Sequence, residues 1–367
     1  MTRNTANNIF MSRICILSAV NIKHMSMISL YTEQLLQSNI DFDIIYMDKY
    51  GEDEYIPAKN KYVFKNIINP KYPRWYKVLL YWKFKKYAVQ ILEKNAYDFI
   101  IVWNDVAIFI FAEYLSRKWK GKYCLNIRDY CHQKIKWIYN RFRTVIQNSA
   151  FTTISSPGYK TFLPEYKYIQ VHSLNIAILK QIIPRVSFRE SGKPIRIGFI
   201  GYVRFFDINK QLLNIFKNDP RFELHFYGTH AHVLQQYASE NAISNTAFHD
   251  SFPIADTPKY LQKIDIINNV YGNNSMSLDY ALSIKLYHGV YSRIPILVCP
   301  NTYMEQISNE YQIGFTVNEY TAEMKEALYN WYTDLDFEKF NHSCYQFITK
   351  VMNDNQDFEN AYKKYIK

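Results

Sequence analysis

Short apolar runs alternate with stretches of helical spacing along nearly the whole chain. Arg13–Val20 reads as a first strand, Met25–Gln37 as an amphipathic helix and Phe42–Met47 as a second strand. Phe99–Trp103 and Tyr123–Ile127 flank a helical stretch at Ile108–Lys118, and Phe151–Ser155 runs into a Ser-Ser-Pro-Gly turn. Between Gln181 and Pro194 the pattern lapses into a polar run, IPRVSFRESGKP, and then restarts. Ile195–Gly201, Glu223–Tyr227, Ala247–Phe252, Asp265–Val270, Ile294–Val298 and Gly314–Val317 read as strands. Lys210–Phe216, His232–Glu240, Thr257–Gln262 and Leu278–Tyr291 read as the helices between them, and from Ala322 the chain is helical. Strands alternating with helices predict an α/β protein with parallel sheets covered on both faces. Two such series predict two lobes, 12–186 and 194–330, followed by helices over 331–367 that can return to the first lobe. Ligands of open α/β sheets bind beyond the carboxyl ends of the strands, so the cleft between the lobes is the expected site.

Composition narrows the class. The chain has 367 residues, 48% of them hydrophobic, enough for two cores and too apolar for a disordered protein. Five scattered cysteines have neither zinc-site spacing nor an even count, which fits a reducing compartment. The longest apolar stretch, Tyr97–Leu115, is interrupted by Asp98, Asn104, Asp105 and Glu113, so no transmembrane segment is read there. Ile14–Val20 lacks a following cleavage site and reads as a buried strand rather than a signal peptide, giving a cytoplasmic expectation.

The net charge of +11 is unevenly spread. Residues 1–190 carry 28 Lys and Arg against 14 Asp and Glu, whereas residues 191–367 carry 16 against 19. One basic lobe suggests one anionic surface, either nucleic acid or the cytoplasmic leaflet of a membrane. Aromatic residues interleave with the cations and no nucleic-acid motif is present, which disfavours nucleic acid. The segment Tyr72–Lys94 sets Trp75, Leu79, Leu80, Trp82 and Phe84 among Arg74, Lys77, Lys83, Lys85 and Lys86. It suits either a membrane interface, rings down and cations towards lipid phosphates, or an ordinary helix with a core face and a charged face.

Candidate chemistry lies at strand ends. Gly198 and Gly201 form no dinucleotide fingerprint. Arg204 lies just beyond a strand and Lys210 at the expected start of a helix, where both can reach a diphosphate or serve as solvated loop charges. Lys285 and His288 are three apart and share a helix face, to which Leu282 also belongs. They read either as phosphate and ribose contacts or as one exposed lysine and one buried histidine. Arg128, Asp129 and His132 follow a first-lobe strand: Asp129 can accept a proton from an acceptor hydroxyl or pair with Arg128, and His24 is a rival for the catalytic role. His230 and His232 lack a third ligand, so no metal site is expected.

The stretch SLDYALSIKLYHGVYSRIPILVCPNTYMEQISNEYQIGFTV resembles the donor-binding segment of bacterial capsule and exopolysaccharide glycosyltransferases of the GT-B fold, close to glycosyltransferase family 4. Lys285, Leu286, Tyr287, His288, Pro295, Thr302, Tyr303, Met304 and Gly314 follow the family pattern in order. IRIGFIGYVR, KYCLNIRDY and TTISSPGYKTFLPEYKYIQVHSLN resemble further family segments, so the likeness covers roughly Arg13 to Val317. It implies two Rossmann-like lobes, with the acceptor in the first and the donor in the second.

The resemblance further implies that Arg204 and Lys285 bind the donor diphosphate beside Gly201, with Lys210 a weaker candidate and Leu286, Tyr287 and His288 in the same motif. The base would lie near Gly228 and Phe252. The chain departs from the family where paired glutamates eight apart are expected: Tyr280 and His288 stand there, and the loop SAVNIKHMS lacks glycines. The implied activity is metal-independent and retaining hexosyl transfer, without a cofactor. A UDP-sugar would supply the hexose to a lipid-linked oligosaccharide at an anionic inner membrane face. A catalytically silent partner subunit of the same fold is the alternative that the missing glutamates leave open.

Overall fold

A computed structural model describes residues 13–25, 27–67, 72–188 and 192–366. Residue 12, where the first lobe was expected to begin, Ser26 in the first expected helix, and 189–191 in the expected boundary lie outside the described residues. The chain forms two compact units. The first runs to His172 and takes back the chain from Asp354; the second is Ser173–Asn353, so the polar run 181–194 lies inside it.

The first unit carries seven parallel strands: β1 (Ile14–Ser18), β2 (Phe42–Asp48), β3 (Asn60–Lys65), β4 (Phe99–Trp103), β5 (Tyr123–Ile127), β6 (Phe151–Ile154) and β7 (Ile169–Gln170). Their spatial order is β3-β2-β1-β4-β5-β6-β7. Central strands β1, β2, β4 and β5 are buried at every position, as expected for a sheet covered on both faces. The end of the chain completes this core, with Phe358, Tyr362 and Ile366 packed among Ile14, Tyr31 and Phe99.

The helix Arg74–Lys94 lies over this unit with two apolar faces. Leu80, Phe84, Ala88 and Leu92, four apart, are buried. On the other side Trp75, Val78 and Trp82 are 69%, 67% and 59% exposed, with Lys83 and Lys86 also exposed. The aromatic residues expected on one face are thus divided, Phe84 inward and the tryptophans outward.

The second unit carries six parallel strands: β8 (Ile195–Ile200), β9 (Phe222–Tyr227), β10 (Thr246–His249), β11 (Ile266–Asn268), β12 (Ile296–Val298) and β13 (Gly314–Thr316). Their order is β10-β9-β8-β11-β12-β13, so the direction of winding reverses between β8 and β11. Two helix starts differ from expectation. The helix expected from Lys210 begins at Phe206, because Phe205 adopts a left-handed cap (φ 59°) and Asn209 bonds back to the Arg204 and Phe205 carbonyls. The helix expected over Leu278–Tyr291 is split into Met276–Asp279 and Ile284–Ser292, because Ser283 caps the second piece. Leu282 therefore precedes that helix and does not share its face with Lys285.

At the opposite strand ends, the Asp265 carboxylate accepts from Arg196 Nε (2.8 Å), Arg196 Nη2 (2.8 Å) and Arg185 Nη1 (2.8 Å), tying β8 to the start of β11. Burial pushes this carboxyl up, but the arginine hydrogen bonds outweigh it and leave it below the ordinary range. A depressed carboxyl stabilises the fold above its unfolded-state value of about 4, and that stability is lost as pH falls through the folded value. Arg196→Met is expected to cost about 3–5 kcal/mol, since it leaves a buried charge half-answered. It should also move acid unfolding, followed by circular dichroism, to higher pH; an unchanged acid limb would contradict this role for the pair.

Candidate anion site of the second unit

The turn after β8 is shaped by backbone closeness. Gly201 donates its N–H to the Tyr227 carbonyl (2.8 Å), and Gly228 (φ 140°) lies so near that a Cβ there would sit 1.8 Å from the Gly201 oxygen. Only glycine fits at Gly228. The chain beyond Gly201 passes through Val203, whose N–H reaches the Thr229 carbonyl (2.9 Å), to the exposed Arg204.

Two buried asparagines fix that turn to the neighbouring strand. Asn209 Nδ2 donates to the Arg204 carbonyl (2.9 Å), and Asn268 Nδ2, at the end of β11, donates to Asn209 Oδ1 (3.0 Å). The Asn268 carbonyl accepts from Lys285 Nζ (3.1 Å), so one polar chain links Lys285 on its helix to Arg204 on its loop. Helix geometry delivers Lys285 here: Ser283 caps Ile284–Ser292 by accepting the Lys285 N–H (3.3 Å), which places the lysine in the first turn.

Lys285 is 5% exposed. Its ammonium lies 3.1 Å from the ring centre of Phe199 and 5.1 Å from that of Tyr271. The Arg204 guanidinium is 5.8 Å from the same Tyr271 ring and 4.8 Å from Phe205, which stacks on Tyr271. Two cations therefore share one aromatic wall. Among the described residues neither forms an ion pair. Burial holds the Lys285 amine well below its ordinary range, and the Arg204 charge lowers it further. His288, one turn on and 8% exposed, has its Nε2 without a partner; burial and then Lys285 push it down to about 4. Unanswered positive charge at the winding reversal of an open parallel sheet, beside a helix N-terminus, is chemistry for an anion.

The remaining candidates fall elsewhere. Leu286 and Tyr287 are core residues, 1% and 0% exposed, and anchor the helix rather than line the cation pair. Lys210 stands a full turn inside its helix, over the Tyr237 ring (5.1 Å), because the helix starts early. Phe252 packs at a tilt against Tyr260 (4.2 Å between ring centres) beside His249, past the end of β10. His230 bonds Tyr202 and His232 bonds Asp250, and among the described residues no group of three or more His, Cys, Asp or Glu could hold a metal ion.

In the first unit Asp129 and His132 lie exposed on one loop after β5. Beneath that loop sits Asp105, which the sequence reading passed over as an interruption of an apolar run. It is 5% exposed, and its Oδ2 accepts the Asp129 N–H (3.1 Å). Burial, then the Asp129 charge, pushes its carboxyl up to about 8. An acid directly after a strand was the available signal. His24 lies on the loop after β1, bonded to Tyr50 (3.0 Å), and no hydrogen bond joins it to Asp129 or His132 among the described residues. That loop needs no glycines, because Glu54 accepts the Ile22 (2.9 Å) and Lys23 (2.7 Å) N–H groups and the Asn21 amide (2.9 Å).

No known family model matches the sequence, and no curated protein does. Solved structures do match in fold. Sucrose-phosphate synthase from Thermosynechococcus elongatus superposes with a TM-score of 0.69 at 11% identity, covering 96% of this chain and 98% of that one. HepE from Anabaena, in complex with UDP, gives 0.64 at 10% identity, covering 96% and 100%. A glycosyltransferase from Rickettsia africae gives 0.62 at 11% identity, covering 97% and 99%. The fold is that of the GT-B glycosyltransferases, two Rossmann-like parallel-sheet units.

A buried amine among rings, charged or neutral, is under-solvated and costs stability relative to an apolar side chain of similar size. Lys285→Met is therefore expected to raise the melting temperature of the ligand-free protein by a few degrees, roughly 1 kcal/mol or more. Scanning calorimetry checks this, and a lower melting temperature would mean that the ammonium is already compensated.

Proposed function

We propose that the protein is a glycosyltransferase that binds a nucleotide diphosphate sugar through Lys285 and Arg204. The carrying observation is the pair of unanswered cations, one buried 5% exposed and one at the surface, on a shared aromatic wall at the end of β8 and β11. Fold likeness to HepE, solved with UDP, supports a uridine nucleotide as the donor's carrier. The leaving diphosphate is neutralised by these side chains and the helix N-terminus, so transfer requires neither a bound metal nor a cofactor. The product keeps the configuration of the donor's hexose, as the resemblance to family 4 implies. Asp129, with His132 and His24 as alternatives, takes the acceptor's proton, and buried Asp105 holds the Asp129 backbone in place.

The acceptor in this proposal is a lipid-linked oligosaccharide of capsule or exopolysaccharide synthesis. The exposed face of Arg74–Lys94 supports it: tryptophans at 75 and 82 beside Lys83 and Lys86 suit the headgroup region of an anionic leaflet. The protein then works at the inner face of the membrane without crossing it; no described helix is long and apolar enough to span one.

Turnover of a panel of nucleotide sugars, read by mass spectrometry in excess chelator, tests the activity and separates an enzyme from a silent partner subunit. Release of UDP from at least one donor is expected, and its dependence on added magnesium or manganese would contradict the metal-free site. Arg204→Ala should weaken UDP binding at least about tenfold, the worth of one charge-assisted contact.

Sedimentation with vesicles tests the membrane contact. Binding is expected with anionic lipid, little with neutral lipid, and release as salt shortens the Debye length from about 10 Å at 0.1 M to about 3 Å at 1 M. Lys83→Glu with Lys86→Glu should abolish it in a folded protein. Equal binding to both vesicle types would remove the anionic membrane from the account.

A further inference from the structure

We infer that nucleotide diphosphate and a proton enter the site of the second unit together, the proton going to the Lys285 amine. This deepens the donor reading and rests on it. From β8 comes the Phe199 ring, from the loop after β8 the Arg204 guanidinium, and from β11 the Asn268 carbonyl. The loop after β11 brings the Tyr271 ring, and the lysine's own helix brings His288. Tyr271 is held neutral, its hydroxyl pushed up to about 12 mainly by burial. One carbonyl and two ring faces are all that favour the ammonium, while a second cation and loss of water oppose it. No carboxylate faces it among the described residues.

An arriving diphosphate reverses that balance. It brings negative charge against Arg204 and the amine, so the protonated amine becomes the favoured form. The amine lone pair takes a proton from solvent, a new N–H bond forms, and the buffer carries the deficit. His288 is the other base in reach, with an unpartnered Nε2, and the experiment has to separate the two.

The linkage has a definite sign. Below the amine's empty-site value the proton is already present and none is taken up. Between the empty-site and loaded-site values, uptake approaches one proton per nucleotide, and affinity falls by up to about tenfold per pH unit. This sets Lys285 apart from an arginine, which stays charged whether or not the site is filled.

Titration of the full chain with UDP at pH 8, where the phosphates are already ionised, is run in HEPES and in Tris, whose ionisation enthalpies differ. The expected result is a buffer-dependent heat whose sign corresponds to net proton uptake on binding. It should persist in His288→Asn and vanish in Lys285→Arg. The same heat in both buffers for the unmodified protein would overturn the inference while leaving the donor reading intact. Uptake lost in His288→Asn would also overturn it, by moving the proton to the histidine. No binding of UDP at all would overturn both readings.

Discussion

An amine held among aromatic rings, with no acid to answer it among the described residues, is the constraint around which the second unit is arranged. In a short polar chain, Lys285 donates to the backbone carbonyl of Asn268, whose side chain donates to Asn209, which in turn donates to the Arg204 carbonyl. The same chain fixes the turn that carries Arg204, so the buried and the surface cation are set by one network. Removing either asparagine side chain would break the link that holds the Arg204 turn to β11. The serine cap at Ser283, the close approach of Gly228 to Gly201 and the left-handed Phe205 are local devices that bring these pieces to the winding reversal of the sheet.

The first unit solves a related problem differently. Its loop after β1 offers two backbone N–H groups, as an anion-binding turn does, but Glu54 already fills them. Positive charge in this unit lies instead on its surface, and the exposed tryptophans of Arg74–Lys94 lie beside part of it. Beneath the loop after β5, burial of Asp105 beside Asp129 keeps a proton on the Asp105 carboxyl near neutral pH. The raised Asp105 carboxyl and the cations Lys285 and Arg204 thus sit in different units, each with its own electrostatic logic.

Most of the strands were legible, though not their order in the sheets, because strands buried on both faces appear as apolar runs. β3 escaped, since an edge strand with exposed positions has no such run. The helix Lys136–Gln147 escaped because charged and aromatic residues crowd its sequence, although Ile138, Phe142, Val145 and Ile146 are buried at helical spacing. Arg204 and Lys285 were legible as cations at a strand end and a helix start. Their partnership was not, because it runs through Asn209 and Asn268, and asparagine reads as loop material until its burial is known. The helix shift from Lys210 to Phe206 likewise turned on a left-handed phenylalanine, a conformation no sequence pattern announces.

The Lys285 amine and the Arg204 guanidinium are proposed to be placed for a diphosphate. A crystal structure of the protein with UDP tests this placement most directly. Phosphate oxygens are expected within hydrogen-bonding distance, about 3 Å, of Lys285 Nζ and the Arg204 guanidinium, with the uracil towards the ends of β9 and β10. A nucleotide bound elsewhere, with Lys285 still bonded only to the Asn268 carbonyl, would contradict it.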